Sequence, residues 1–265
     1  MRRVISANLV IDVSEPCALA LAVTPTRVPG LAFDESLTVS GTASPQTPHE
    51  LLDAHGTRLH RVDAGAGRLE VHYEAVITGR GQSPTSESAE LIRYVRPSRY
   101  CESDSLAATA SAEFDGLEGV ALLDAVSSWV RTRLDYVSGS SLPTDGAVRT
   151  LLARQGVCRD FAHLCVALLR ARGVPTRFVS VYAPGLDPMD FHAVCEAWID
   201  GKWLAVDATS LAPRQSMLRM ATGRDAADTA FFNVLAGNAE LIDMEVTATV
   251  DALPQDDATA VVVLG

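Results

Sequence analysis

The chain has 265 residues, of which 48% are hydrophobic and 21% charged, so it can form a sizeable core and is too apolar to be intrinsically disordered. Its net charge of −11 at pH 7 disfavours binding to nucleic acid or to an anionic membrane surface. No apolar run approaches the roughly 18 residues of a membrane-spanning helix. The length predicts one large domain or two modest ones.

The cysteines are five in number and show no CxxC spacing, which argues against a secreted disulfide framework: Cys17, Cys101, Cys158, Cys165 and Cys195. Polar residues interrupt the apolar stretch that follows Arg2 and Arg3, so the first residues do not resemble a signal peptide. We therefore expect a reducing, cytoplasmic location.

The first 110 residues carry the patterns of strands and turns. The clearest strand has apolar residues on one parity, with Glu70, His72 and Glu74 on the other: Leu69, Val71, Tyr73, Ala75 and Ile77. A short apolar run from Leu19 to Val23 is a second strand candidate. His55-Gly56 and residues 65–67 are typical of hairpin turns, and residues 78–85 indicate a loop. We expect a small antiparallel β-sandwich domain.

From about residue 117 the apolar residues recur at the spacing of an α-helix. An amphipathic helix is predicted up to about residue 134, and a helix that is apolar on nearly every face is predicted from Cys158 to Arg172. Gly173 and Pro175 supply its C-terminal stop. Strands are predicted over residues 176–183, 193–199 and 202–208, and a last one over 241–250.

Cys158 opens the buried helix, in the segment GVCRDFAH. The unpaired N–H groups and the dipole of a helix N-terminus favour an anion, so a thiol there should hold a larger thiolate fraction. The same N–H groups are suited to the oxyanion of acyl transfer. The alternative is that Cys158 is a small buried hydrophobe.

A hairpin brings a second pair of polar residues together. Asp200-Gly201 is a preferred type I′ turn, and a two-residue loop there aligns Trp198 with Trp203. In this register His192 and Asp207 are diagonal neighbours on one face, roughly 7 Å apart at Cβ. A carboxylate so placed can orient an imidazole. The alternative is a His–Asp pair on the surface.

The segments QGVCRDFAHLCVALLRARGVPTRFVSVY and FHAVCEAWIDGKWLAVDAT resemble the transglutaminase-like superfamily, whose fold is papain-like. LDYVSGSS, GRDAADTA and RPSRYCESD resemble its bacterial branch, in which an N-terminal β domain precedes the catalytic one. The resemblance implies an α+β fold, with a β-sandwich domain over residues 1–110 and the catalytic domain over residues 111–265. Ala208 stands where the family usually has proline.

The resemblance assigns three catalytic roles: Cys158 is the nucleophile, His192 the base and Asp207 the orienting acid. We expect thiol-dependent acyl transfer at a peptide or protein amide, by hydrolysis or by transfer to an amine, and we favour hydrolysis. A non-catalytic peptide-binding module on the same fold is the alternative. No cofactor is implied. Tyr136 and Gln155 are both candidates for the second oxyanion donor.

A zinc site is the rival use of the cysteines and histidines, but their spacing opposes it. His163 lies on another face of the helix than Cys158, so we expect it to be a hydrogen-bonded core residue. Asp160 in the first turn complements the helix dipole. Trp198 and Trp203 are expected to pack across the hairpin, and the substrate pocket to involve residues 183–191 and the seam between the domains.

Overall fold

The computed structural model describes residues 1–41, 47–82, 86–257 and 260–265. Within them the strands are β1 (Arg2–Leu21), β2 (Leu31–Gly41), β3 (His49–Leu52), β4 (Arg58–Ala64), β5 (Gly67–Gly79), β6 (Asp135–Tyr136), β7 (Gln155–Gly156), β8 (Thr176–Tyr182), β9 (Phe191–Ile199), β10 (Lys202–Val206), β11 (Leu218–Gly223) and β12 (Phe232–Val250). The helices are α1 (Ser88–Tyr94), α2 (Ala107–Glu113), α3 (Gly119–Arg133), α4 (Ala147–Ala153), α5 (Cys158–Ala171) and α6 (Ala226–Thr229), with short 3₁₀ turns at Ala54–Gly56 and Arg214–Ser216.

The N-terminal region is an antiparallel sheet organised on β1. One edge of β1 pairs with β5 and then with β4, and the other edge pairs with β12 along almost its whole length. β2 and β3 extend the sheet beyond β5 and β4. The alternating residues of β5 face the core as predicted, since Leu69 to Ile77 are buried on one parity.

One detail of this region differs from expectation. Residues 65–67 do not form a hairpin turn, because β4 and β5 both run along the same edge of β1, with Ala64 opposite Cys17 and Gly67 opposite Val13. The six strands are joined in one hydrogen-bonded network, because β1 is long enough to pair with β5 and β4 on one edge and with β12 on the other. The turn at His55-Gly56 does join the paired strands β3 and β4.

The C-terminal part of the chain returns to this first sheet. β12 is much longer than the strand predicted over residues 241–250, and it pairs with β1 from Phe232 onward. The core of the sheet also takes in Tyr182, Leu218 and Met220 from the second half of the chain. The boundary near residue 110 stays a prediction. Of the predicted loop over residues 78–85, the last three residues lie outside the described residues.

The second half of the chain is an α+β core, as predicted. The antiparallel order β10-β9-β8-β11 forms its sheet, and α5 packs on one face with α3, α2 and α4 around it. Nearly every residue of α5 beyond its first turn is buried, as its uniformly apolar sequence requires. Within the described residues, no helix is long and apolar enough to cross a membrane.

The β9–β10 hairpin has the predicted register. Trp203 pairs with Trp198 and Lys202 with Ile199. Asp200 and Gly201 have φ values of 49° and 77°, which is the left-handed backbone that a type I′ turn needs at both central positions. This turn fixes which residues of the two strands share a face.

Candidate active site

Cys158 begins α5, at the end of the helix that is not fully enclosed. The thiol residue is partly exposed, whereas the helix behind it is buried. The N–H of Val157 donates to the Asp160 carboxylate at 2.9 Å, so Asp160 closes the helix N-terminus from its third position. The backbone therefore holds Cys158 in a fixed place at the positive end of the helix.

His192 and Asp207 form a buried pair on the hairpin face that the register predicts. Nε2 of His192 donates to Oδ2 of Asp207 at 3.0 Å, and the two side chains are 0% and 2% exposed. The other oxygen, Oδ1, accepts from the backbone N–H and the hydroxyl of Thr209 at 2.9 and 2.7 Å. The burial excludes the alternative of a solvated surface pair.

Each residue of this pair stabilises the charged form of the other. Burial by itself lowers the pKa of His192, but the Asp207 carboxylate outweighs it and raises that pKa to about 10. Burial would raise the pKa of Asp207, and the charge of His192 with the hydrogen bonds from His192 and Thr209 holds it below its ordinary value. The pair therefore favours imidazolium beside carboxylate at neutral pH.

Cys158 lies against the imidazole of this pair. The proximity of the thiol adds to the rise in the pKa of His192. With Nε2 engaged by Asp207, Nδ1 is buried and has no partner of regular hydrogen-bond geometry among the described residues. Nδ1 is consequently the ring nitrogen that is free to exchange a proton at the sulfur.

Tyr136 is the second group at the thiol. β6 pairs in parallel with β7, Tyr136 opposite Gly156, which brings the phenol beside the first turn of α5. Its hydroxyl contacts the backbone and the thiol of Cys158, and burial together with that thiol raises the pKa of Tyr136 to about 12. Gln155, the other candidate, is exposed. β6 and β7 are only two residues long and show no periodic pattern, so the sequence does not indicate which of Tyr136 and Gln155 lies at the thiol.

Comparisons with known proteins identify the family of this chain. A model of the transglutaminase-like superfamily matches residues 103–208, a range that includes Cys158, His192 and Asp207. The crystal structure of a "putative cysteine protease" from Cytophaga hutchinsonii superposes with a TM-score of 0.89 at 32% identity, over 98% of this chain and 96% of that one. The chain belongs to the transglutaminase-like superfamily.

Sequence relatives of this transglutaminase-like chain occur in mycobacteria. An uncharacterized protein of Mycobacterium leprae is 29% identical over 137 residues, which are 49% of this chain and 49% of that protein. An uncharacterized protein of Mycobacterium bovis is 36% identical over 124 residues, 41% of this chain and 40% of that protein. The aligned part thus spans about half or less of these curated relatives.

The remaining residues singled out in the sequence have structural positions. His163 is fully buried, and its Nε2 accepts from the N–H of Ala226 at 3.1 Å. Its ring lies between Tyr100 and Phe178, with centroids 5.3 and 4.9 Å away. Trp198 and Trp203 pack edge to face across the hairpin at 5.2 Å. Within the described ranges, no three His, Cys, Asp or Glu residues are grouped so as to hold a metal ion.

Proposed function

We propose that this chain is a cysteine hydrolase that cleaves a peptide or other amide bond through an acyl-thioester on Cys158. The observation that carries the proposal is the buried His192–Asp207 pair at 3.0 Å with the Cys158 thiol against the imidazole. A thiol, a base and an orienting carboxylate in mutual contact are the parts of a nucleophilic triad. The similarity to the "putative cysteine protease" of Cytophaga hutchinsonii supports the same reaction class.

The reaction proceeds in two halves. The Cys158 thiolate attacks the carbonyl carbon, a C–S bond forms, and the electron pair of the C=O bond moves to oxygen. When the tetrahedral intermediate collapses, the C–N bond breaks and the imidazolium of His192 gives its proton to the leaving amine. Water, deprotonated by His192, then attacks the thioester; the C–S bond breaks and the carboxylic acid leaves.

Two groups are suited to the oxyanion of these intermediates. The N–H of Cys158 belongs to the first turn of α5, where the helix dipole favours negative charge. The hydroxyl of Tyr136 contacts the same residue and can donate beside it. Donors fixed before the reaction are worth about 10²–10³-fold each in kcat.

Transfer to an amine shares the first half of this reaction and differs in the second acceptor. Both outcomes can be distinguished by incubating the protein with a library of peptides and glutamine-containing amides, with and without 10 mM of a primary amine. Mass spectrometry should show cleaved peptides and free acids as the main products. Amine adducts in their place would assign a transamidase.

A non-catalytic peptide-binding module is the competing proposal. The same peptide library tests this alternative when wild type is compared with the variant Cys158→Ala. We expect wild type to turn over at least one peptide and to show a covalent acyl adduct on Cys158 when quenched in acid. Peptides bound with equal affinity by both proteins and never converted would establish the binding module instead.

A further inference from the structure

A large cavity opens directly beside the Cys158 thiol and the His192 ring. Its volume is about 500 Å³, within the range of pockets that bind small molecules. Aromatic side chains from three parts of the fold dominate its walls: Phe178 on β8, Phe191 on β9, and Phe231 and Phe232 where β12 begins. Of the predicted loop 183–191, the described lining includes Phe191 alone.

The charge of the lining is one-sided. Apart from Cys158 and His192, the one residue with a formal charge among the described lining residues is Arg159, and no carboxylate is among them. The chain as a whole carries a net charge of −11, so its acidic residues are concentrated elsewhere. A cationic side chain entering the cavity would lose its hydration and meet the charge of Arg159, with no carboxylate among the described lining residues to pair with it.

The walls are held in place by hydrogen bonds behind them. Asp225 caps α6 by accepting from Ala227 N–H at 3.0 Å, and it also accepts from Tyr100 N–H at 3.0 Å. Ala226 N–H donates to the buried His163, which stacks against the lining ring of Tyr100 and contacts that of Phe178 at a tilt. The cavity is consequently formed before any substrate enters, and a ligand need not order it.

We infer that this cavity is the specificity subsite of the enzyme and selects amides that carry a bulky apolar group, best an aromatic ring, next to the bond that is cleaved. The inference rests on the proposed function, because the subsite is defined by its position at Cys158. Burying one phenyl group there favours such substrates by about 10- to 100-fold over those with a small group. Lysine and arginine side chains are disfavoured in the same position.

Alkylation of Cys158 tests this without knowledge of the natural substrate. Rate constants are measured for iodoacetamide and for N-benzyl iodoacetamide, with peptide mapping to identify the modified cysteine, and each is divided by the rate constant of glutathione with the same reagent. We expect the benzyl reagent to be favoured at Cys158 by at least 10-fold after this correction. A third reagent, N-(2-aminoethyl) iodoacetamide, should be slower than iodoacetamide.

Variants that fill the cavity test whether the benzyl preference depends on this space. Ala227 and Ala230 both line it, and Ala227 is exposed, so Ala227→Trp and Ala230→Phe offer two independent ways to occupy the space. Either variant that melts within a few degrees of wild type should lose the benzyl preference and keep its reaction with iodoacetamide. Ala66→Trp, at an exposed position outside the lining, should change neither.

The outcomes separate the two proposals. If Cys158 reacts with iodoacetamide no faster than glutathione does, the proposed function fails. If Cys158 is reactive but shows no benzyl preference, or keeps it in both filled variants, the subsite is elsewhere and the proposed function stands.

Discussion

His192 and Glu196 lie four residues apart on β9, and because side chains alternate along a strand they share one face of the sheet. Both are buried and both belong to an ionic group. Around Glu196, Oε2 accepts from Arg177 and Arg219, and Oε1 accepts from Arg219, all at 2.7 Å. Around His192, one ring nitrogen bonds Asp207 and the other faces the thiol and the cavity.

The two groups differ in whether the residue on β9 keeps a polar atom that is free to react. Both oxygens of Glu196 are engaged by guanidinium groups, which hold its pKa at about 2 although burial alone would raise it. Arg177 also lies over the Trp203 ring at 4.1 Å, which ties the cluster into the hairpin. A buried network in which guanidinium groups bond both carboxylate oxygens fixes a core, whereas one with an unpaired imidazole nitrogen beside a nucleophile and a cavity can exchange protons. Burial and charge alone do not separate the two groups; the unpaired imidazole nitrogen beside the thiol does.

The largest effect is expected from Cys158→Ala. Turnover should fall by at least about 10⁴-fold, because the atom that forms the covalent bond is lost. The melting temperature should stay within about 2 °C, since the side chain is partly exposed. Cys165→Ala, on the same helix but fully in the core, is the matched control: it should reduce stability and keep the activity of the folded protein. The opposite pattern would place the chemistry elsewhere.

Asp207→Asn should lower kcat/KM by about 10²–10⁴-fold while the hairpin remains folded. The rate of wild type falls on the alkaline side as imidazolium is lost, near pH 10 given the raised pKa of His192. Without the carboxylate that pKa drops, so the alkaline limb should move to lower pH by one unit or more. Asp200→Asn keeps the turn, since asparagine also suits positive φ, and should leave the profile unchanged. If the alkaline limb of the pH profile stayed at the same pH in Asp207→Asn, Asp207 would have only a structural role.

Tyr136→Phe should reduce kcat by about 10²-fold and leave KM within about 2-fold, because the hydroxyl is needed for the oxyanion rather than for substrate binding. Gln155→Ala is the matched variant on the neighbouring strand and should have little effect. Steady-state kinetics on any substrate from the peptide library checks this. Equal losses in both variants, or a loss confined to KM, would remove Tyr136 from the oxyanion site.

Glu196→Gln should act on stability and not on chemistry. Removing the charge deprives two buried guanidinium groups of their nearest carboxylate, at a cost of about 3 kcal/mol in the free energy of unfolding. The activity of the folded protein should stay within about 2-fold. Glu70→Gln, whose salt bridge with Arg68 is exposed, should cost no more than about 0.5 kcal/mol. A catalytic defect in folded Glu196→Gln would erase the distinction between the two groups on β9.

The loss of stability at acidic pH offers a second test of the structural role of Glu196. Glu196 has a pKa of about 2 in the folded protein against 4.5 as its ordinary value, so its contribution is complete above about pH 4.5 and is lost as the pH falls toward 2. Urea unfolding of wild type between pH 6 and 3 should show this loss, and the slope should be shallower in Glu196→Gln. Parallel curves for the two proteins would show that Glu196 has no lowered pKa.

The parts of the site that the sequence predicts are those fixed by local rules. The Asp200-Gly201 turn determines the register of two strands, and the register places His192 beside Asp207. The apolar run after Cys158 determines a buried helix and therefore a rigid position for the thiol. Both rules operate within about ten residues, and both hold in the structure.

The parts that the sequence does not predict depend on distant segments. Tyr136 reaches Cys158 through a two-residue bridge, and β12 pairs with a strand more than 200 residues away. The cavity walls at 226–232 lie on the four-residue helix α6 and the residues directly after it, which have no periodic pattern. The Glu196 cluster did leave a signal, a charged residue inside an otherwise apolar strand. Its partners, Arg177 and Arg219, are fixed only when β8 and β11 are placed.

The central claim is that the His192–Asp207 pair activates the Cys158 thiol, and its reaction with iodoacetamide at pH 6 tests this most directly. Peptide mapping follows the rate at Cys158 in wild type and in His192→Ala, with glutathione as the reference thiol. We predict that wild-type Cys158 reacts at least 10-fold faster than glutathione, and that His192→Ala returns it to the rate of an ordinary thiol. A wild-type rate no higher than that of glutathione, or an unchanged rate in His192→Ala, would contradict the account.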